Sequence, residues 1–277
     1  MPAKPTKKTD GSPTGYLIEI FSSYQGEGGS VSGSCFGKRQ IFVRFAGCNL
    51  ASGAYHTEGC VWCDTHESHN LHPTSYRVEI APSTHSFDEF SNPAEIEKTI
   101  EHIRKLTTPD LHTISFTGGE PCFQSKFLIA LNTRCHELGY KTFLETNACI
   151  PWQPEFGEFD YYSCDIKDRT AGAALEWQEL AMEELEFISH VMAWEKKVYA
   201  KVVVTEDTQL EDIEWIAQEL GRLNRPGRLC PLVLQMVTGP DSPSESKMSA
   251  FMAIAAKYIS PDNLSLSVQL HKYIEIL

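Results

Sequence analysis

Two runs, VYAKVVV at 198–204 and LVLQMV at 232–237, constrain the fold of this chain more than any other feature. A strand that faces water on one side alternates polar and apolar residues, whereas near-continuous apolar runs suit strands covered on both faces, as in parallel sheets. Between such runs the apolar spacing becomes helical. Ile96, Ile100 and Ile103 share one face of a helix predicted over 91–106, with Asn92 as its cap and Pro93 at its first position. Phe127, Leu128, Leu131, Cys135 and Leu138 turn inward from a helix over 123–139 that stops at Gly139. Further helices are expected over 171–192, 210–223 and 244–259. Strands alternating with helices give an α/β fold, read here as a partial, open TIM-type barrel of about six parallel strands with outer helices.

The length of 277 residues fits one such domain, assigned to 16–277. Residues 1–15 are rich in Pro, Gly and Lys and are expected to be a flexible tail; without an apolar run they are neither signal peptide nor membrane anchor. A net charge of −13 argues against direct nucleic-acid binding. Nine cysteines without a secretory signal favour buried thiols and one metal cluster over disulfides, and a cytoplasmic location.

In folds of this class, ligands lie at the C-terminal ends of the parallel strands. Polar residues stand at those predicted ends: Cys48, Thr117 to Glu120, Glu145 to Asn147, Asp165 to Lys167, Gln235 to Thr238 and His271. The first belongs to GCNLASGAYHTEGCVWCDT, where Cys48, Cys60 and Cys63 crowd into one loop. Three thiolates suit an iron–sulfur cluster with one iron left open, or zinc with His56, His66 or His69 as fourth ligand. The spacing alone leaves both open, along with unconnected thiols.

The wider motif set resembles one family. Three cysteines after an early strand, followed by Thr117-Gly-Gly-Glu-Pro121, resemble the radical S-adenosylmethionine (SAM) superfamily, although the usual CxxxCxxC is here widened to eleven residues in its first gap. Tyr24-Gln-Gly-Glu-Gly28, Arg44-Phe-Ala-Gly-Cys48-Asn49, Cys63-Asp-Thr65, Glu145-Thr-Asn147 and His271-Lys272 resemble the 7-carboxy-7-deazaguanine synthase branch, from about Tyr16 to the C-terminus. The resemblance implies a [4Fe–4S] cluster on Cys48, Cys60 and Cys63, with SAM on the open iron. It implies SAM contacts from Gly118, Gly119, Glu120, Asn147, Ser163 and Lys167, the match at Ser163 being loose.

Thr65 would ligate a Mg²⁺ ion shared with the substrate, with Asp64 acting from behind. Gln25, Glu27, Gly28, Arg44, Gln235 and His271 would contact the substrate, 6-carboxy-5,6,7,8-tetrahydropterin, Arg44 by clamping its carboxylate. The implied reaction is cleavage of SAM to a 5′-deoxyadenosyl radical, hydrogen removal from C6 of the pterin, and ring contraction with loss of ammonia. It belongs to the formation of the queuosine precursor. A homodimer and an unidentified electron donor are implied too. Cys35, Cys122, Cys135, Cys149, Cys164 and Cys230 are expected to be buried small hydrophobes. Two alternatives are kept: a radical SAM activase of another protein, and a zinc-stabilised binding protein.

Overall fold

The computed structural model describes residues 11–53, 55 and 57–273. Its strands are β1 (Thr14–Gly15), β2 (Leu17–Tyr24), β3 (Arg39–Phe45), β4 (Ser75–Glu79), β5 (Phe87–Ser91), β6 (Ala94–Glu95), β7 (Leu111–Gly118), β8 (Thr142–Thr146), β9 (Tyr161–Asp165), β10 (Lys197–Val204), β11 (Leu232–Met236) and β12 (Leu264–Val268). The helices are α1 (Ile96–Leu106), α2 (Ser125–Glu137), α3 (Trp177–Ala193), α4 (Leu210–Leu223) and α5 (Glu245–Ala255).

One sheet runs in the order β12-β11-β10-β9-β8-β7-β3-β2-β4-β5, open at its two edge strands. From β3 through β7 to β12 every neighbouring pair is parallel, which makes seven parallel strands where about six were expected. β2 runs antiparallel to β3, so the loop that follows it starts from the opposite end of the barrel. That loop reaches the far edge: Ser30 donates its N–H to Ser265 Oγ of β12 at 3.2 Å. Gly28, at φ +95°, is needed for the passage, since a Cβ there would meet the Tyr199 hydroxyl at 2.6 Å.

Strand β10 shows how the sheet is covered. Val198, Ala200, Val202 and Val204 join the core under the helices, while Tyr199 packs with Phe143, Tyr161 and Val233 on the inner face. The inner face is therefore apolar where β8, β9, β10 and β11 begin. Two residues further along β8, β10 and β11 stand Glu145, Lys201 and Gln235, with Asp165 ending β9, so period-two alternation carries polar groups to the upper layer.

Several local expectations are corrected. Thr14 and Gly15, assigned to the tail, pair with Glu95 and Ala94. Asn92 does not cap α1; its amide exchanges hydrogen bonds with the backbone of Leu17, at 2.9 and 3.1 Å, and the extended β6 pushes the helix start to Ile96. α3 begins at Trp177 rather than near 171, because Asp168 caps a single 3₁₀ turn that Gly172 ends at φ +61°. α5 ends at Ala255 rather than near 259. β4 and β5 were not anticipated: they lie in a polar stretch, and only Tyr76 and Val78 of β4 reach the core.

Candidate active site

The upper layer encloses a cavity of about 390 Å³ whose wall includes Cys48, Cys60, Cys63, Gln25, Glu27 and Arg44 together. Cys48 leaves the end of β3, and the turn that carries Cys63, Asp64 and Thr65 is tied back to it through Gly47 N–H donating to Ser68 O at 2.7 Å. Burial pushes the Cys60 thiol up to about 12 and raises Cys48 and Cys63 as well, so a cation must displace the protons. The same wall carries His69, one of the candidate zinc ligands, while His56 lies outside the described residues.

Described residues from the long loop between Cys48 and Cys60, and the turn after it, lie against α3 and the segment that leads into it. Thr57 donates its hydroxyl to Ala173 O at 3.0 Å, Tyr55 donates to Glu183 Oε2 at 2.7 Å, and Val61 N–H donates to Ala171 O at 2.8 Å. Asn147, at the end of β8, donates to Asn49 Oδ1 at 2.7 Å and stands 4.0 Å from Cys48 Sγ.

Gly118 and Gly119 line the cavity, but their bare Cα atoms answer to the backbone first. A Cβ on Gly119 would lie 2.1 Å from Gly47 O, and one on Gly118, at φ +120°, 2.3 Å from Phe45 O. Glu120 follows these glycines. It is wholly buried outside the cavity wall, accepting from Cys122 N–H at 2.9 Å, Thr146 Oγ at 2.8 Å and Asn147 N–H at 2.7 Å. Its oxygens, desolvated and fully partnered, join the ends of β7 and β8. Ser163 and Gly28 are likewise absent from the wall, Ser163 buried on the inner face of β9 a layer below Asp165 and Gly28 packed on Tyr199.

The floor is a buried charge network. Gln25 donates to Glu145 Oε1 at 2.5 Å, and Thr117 donates to the other oxygen at 2.8 Å. Lys201 Nζ stands 2.6 Å from Glu27 Oε2 and 3.2 Å from Asp165 Oδ1; Lys167 holds the second Asp165 oxygen at 2.5 Å. Burial alone would raise the Asp165 carboxyl, but the two ammonium groups outweigh it and hold it below the usual range. Lys167 also lies 5.0 Å from the centre of the Trp62 ring, beside the cysteines.

Arg44 faces the cavity rather than bulk water. Its Nε donates to Glu19 Oε1 at 2.9 Å and Arg77 takes the other Glu19 oxygen at 2.5 Å, which leaves the terminal nitrogens of Arg44 without a protein partner among the described residues. Across the opening, Thr65 donates to Asp64 Oδ1 at 3.0 Å, and Asp64 Oδ2 accepts from Gln269 Nε2 at 2.9 Å and pairs with Lys272 at 3.4 Å. His271 lies 3.9 Å from Asp64, with its imidazole held below the usual histidine range by burial. Glu27, Asp64 and His271 each bring a ligand atom within 4.8 Å of the others, a possible cation group. Gln235 is buried in the wall, and its Oε1 has no partner.

Lys201, Glu19, Gln269 and Trp62 escaped the sequence reading. A lone lysine inside an apolar strand run was the available signal for Lys201; Glu19 was legible only through its pairing with Arg44 across β2 and β3.

No family model matches the chain. It is 42% identical over 264 residues to the 7-carboxy-7-deazaguanine synthase of Thermococcus kodakarensis, covering 94% of this chain and 98% of that one. It is 36% identical over 267 residues to the enzyme of the same name from Methanocaldococcus jannaschii, covering 94% and 100%. The crystal structure of QueE from Escherichia coli superposes with a TM-score of 0.56 at 19% identity, over 93% of this chain and 95% of that one, a likeness of fold. With near-complete coverage at 42% identity, the chain belongs to the 7-carboxy-7-deazaguanine synthases of the radical SAM superfamily, whose membership implies a [4Fe–4S] cluster and SAM.

Proposed function

We propose that this protein converts 6-carboxy-5,6,7,8-tetrahydropterin to 7-carboxy-7-deazaguanine and ammonia in the cavity above the barrel. The observation that carries the reading is that one cavity is lined at once by the three cysteines and by Gln25, Glu27 and Arg44. Atoms balance without an external oxidant, because the pterin loses only the elements of ammonia. The cluster and SAM, when bound, supply the one-electron chemistry that removes the C6 hydrogen.

The residues of the chain do the rest. Cys48, Cys60 and Cys63 would hold the cluster. Gly118, Gly119 and Asn147, next to them in the wall, would approach SAM, and Lys167 would face its carboxylate. The free nitrogens of Arg44 suit the substrate carboxylate, and Glu27 and Gln235 offer acceptors to the amino-pyrimidinone edge. Thr65 would bind Mg²⁺ through its hydroxyl, with Asp64 adjacent; oxygen donors suit that ion. Packing below the floor, from Tyr199, Phe143 and Tyr161, keeps water from the reacting ring. The reading includes a homodimer, an external electron donor and the reducing cytoplasm, the last supported by nine cysteines that are all free.

The test is an anaerobic reaction of the reconstituted protein with SAM, dithionite, Mg²⁺ and the pterin, with products read by mass spectrometry. Formation of 7-carboxy-7-deazaguanine supports the assignment. SAM cleavage with the pterin intact would remove the substrate from the reading, and a colourless protein with stoichiometric zinc would remove the cluster.

A further inference from the structure

Lys201 is the single charge in the run from Val198 to Val204, and strand register sets it directly beside Asp165. It is 8% exposed, and its ammonium is shared between Glu27, which comes from the loop after β2, and Asp165, which ends β9. One lysine thereby ties a loop to the barrel floor. The carboxylate it holds is only half used: Glu27 Oε2 meets Lys201, while Oε1 accepts from no donor among the described residues. Among the described residues, the buried polar atoms of the cavity wall that lack a partner are two acceptors, Gln235 Oε1 and Gln269 Oε1, against one donor, Trp62 Nε1. The floor therefore asks its ligand for N–H donors.

We propose that Lys201 is the positioning residue that sets ligand specificity. It fixes the Glu27 carboxylate so that its free oxygen accepts from a 2-amino-4-oxo-pyrimidine edge, and so rejects ligands that lack the exocyclic amine. This rests on the functional reading above and names a residue for it. Where a site is built to hydrogen-bond a substrate group, an analogue without that group leaves buried atoms unpaired and binds far worse. Without the ammonium, the Glu27 carboxylate loses its anchor and is free to swing, and the two ligands become alike.

The test is titration calorimetry on the reconstituted protein with 7-carboxy-7-deazaguanine and its 2-deamino counterpart. The parent is expected to favour the amine by about 100-fold or more, and Lys201→Met to compress that ratio below about tenfold. Lys201→Arg, which keeps the charge, should restore most of it. Glu27→Gln should lose as much as Lys201→Met, and the double variant no more than either, because the two act as a unit. A Lys201→Met protein with parental iron content and undiminished discrimination overturns the inference, as does an additive double variant. If Lys201→Met fails to fold, Glu27→Gln decides: unchanged discrimination there also overturns it. A parent that binds neither ligand sinks the functional reading itself, and the inference with it.

Discussion

Replacing Gly119 with alanine should cost the protein much of its stability before any ligand is considered. The new Cβ would sit 2.1 Å from Gly47 O and 3.0 Å from Ser68 O, against ordinary contact from 3.4 Å upward. Both obstacles are backbone, so no side chain can swing aside. Relief requires the ends of β3 and β7 to part by about an ångström, which strains two hydrogen bonds: Gly119 N–H to Phe45 O at 3.1 Å and Glu120 N–H to Gly47 O at 2.8 Å. Overpacking costs about 1–3 kcal/mol, and each weakened backbone bond adds roughly 0.5–1.5 kcal/mol.

A loss of about 2–6 kcal/mol is a large share of a typical total of roughly 5–15 kcal/mol. With a urea slope near the top of the ~1–3 kcal/mol/M range, the midpoint should fall by about 0.7–2 M. The assay is urea denaturation of the metal-free protein, followed by far-UV circular dichroism. Because Gly47 precedes Cys48, iron bound per chain after reconstitution should fall in parallel. An unchanged midpoint with SAM binding lost would refute the reasoning: the glycine would then serve the ligand rather than the strand crossing.

Two further outcomes are expected. His102 is buried against Phe90 and Tyr76, with Lys98, Glu101 and Lys105 on its own helix, and burial lowers its pKa from 6.5 to about 4. The unfolded chain then binds a proton that the folded one refuses, so stability should be lost as pH falls from about 6.5 to about 4, on the order of 2–3 kcal/mol; His102→Phe should remove that part of the slope in denaturant melts at each pH. Thr65→Ala should abolish stimulation by Mg²⁺ and raise the KM for the pterin while leaving SAM affinity unchanged, which equilibrium binding and steady-state kinetics together would check.

The sequence carried the parallel sheet because its strands are buried on both faces and show it as apolar runs: VYAKVVV and LVLQMV became β10 and β11. Strands with little burial left no such mark, which is why β4 and β5 were missed. What the sequence offered of the candidate site were its motif residues. Cys48, Cys60, Cys63, Gln25, Glu27, Arg44, Thr65, Gln235 and His271 all line one cavity. Some residues of these motifs also serve the scaffold. Glu120 lies in such a motif, yet its carboxylate satisfies three donors beneath the wall, and Gly28 turns the loop past Tyr199. Nothing local in a sequence distinguishes a carboxylate aimed at a ligand from one aimed at a backbone N–H. The floor network was harder still, because Lys201, Glu27 and Asp165 come from three separate segments and meet only in the fold.

The most direct measurement uses pterin deuterated at C6, incubated anaerobically with the reconstituted protein, SAM, dithionite and Mg²⁺. If the cavity sets C6 against the SAM-derived radical, deuterium should appear in the 5′-position of SAM or of 5′-deoxyadenosine as 7-carboxy-7-deazaguanine accumulates, and neither should form with Cys63→Ala. Product that forms while all the deuterium exchanges into water, or SAM cleavage that is indifferent to the pterin, would contradict the account.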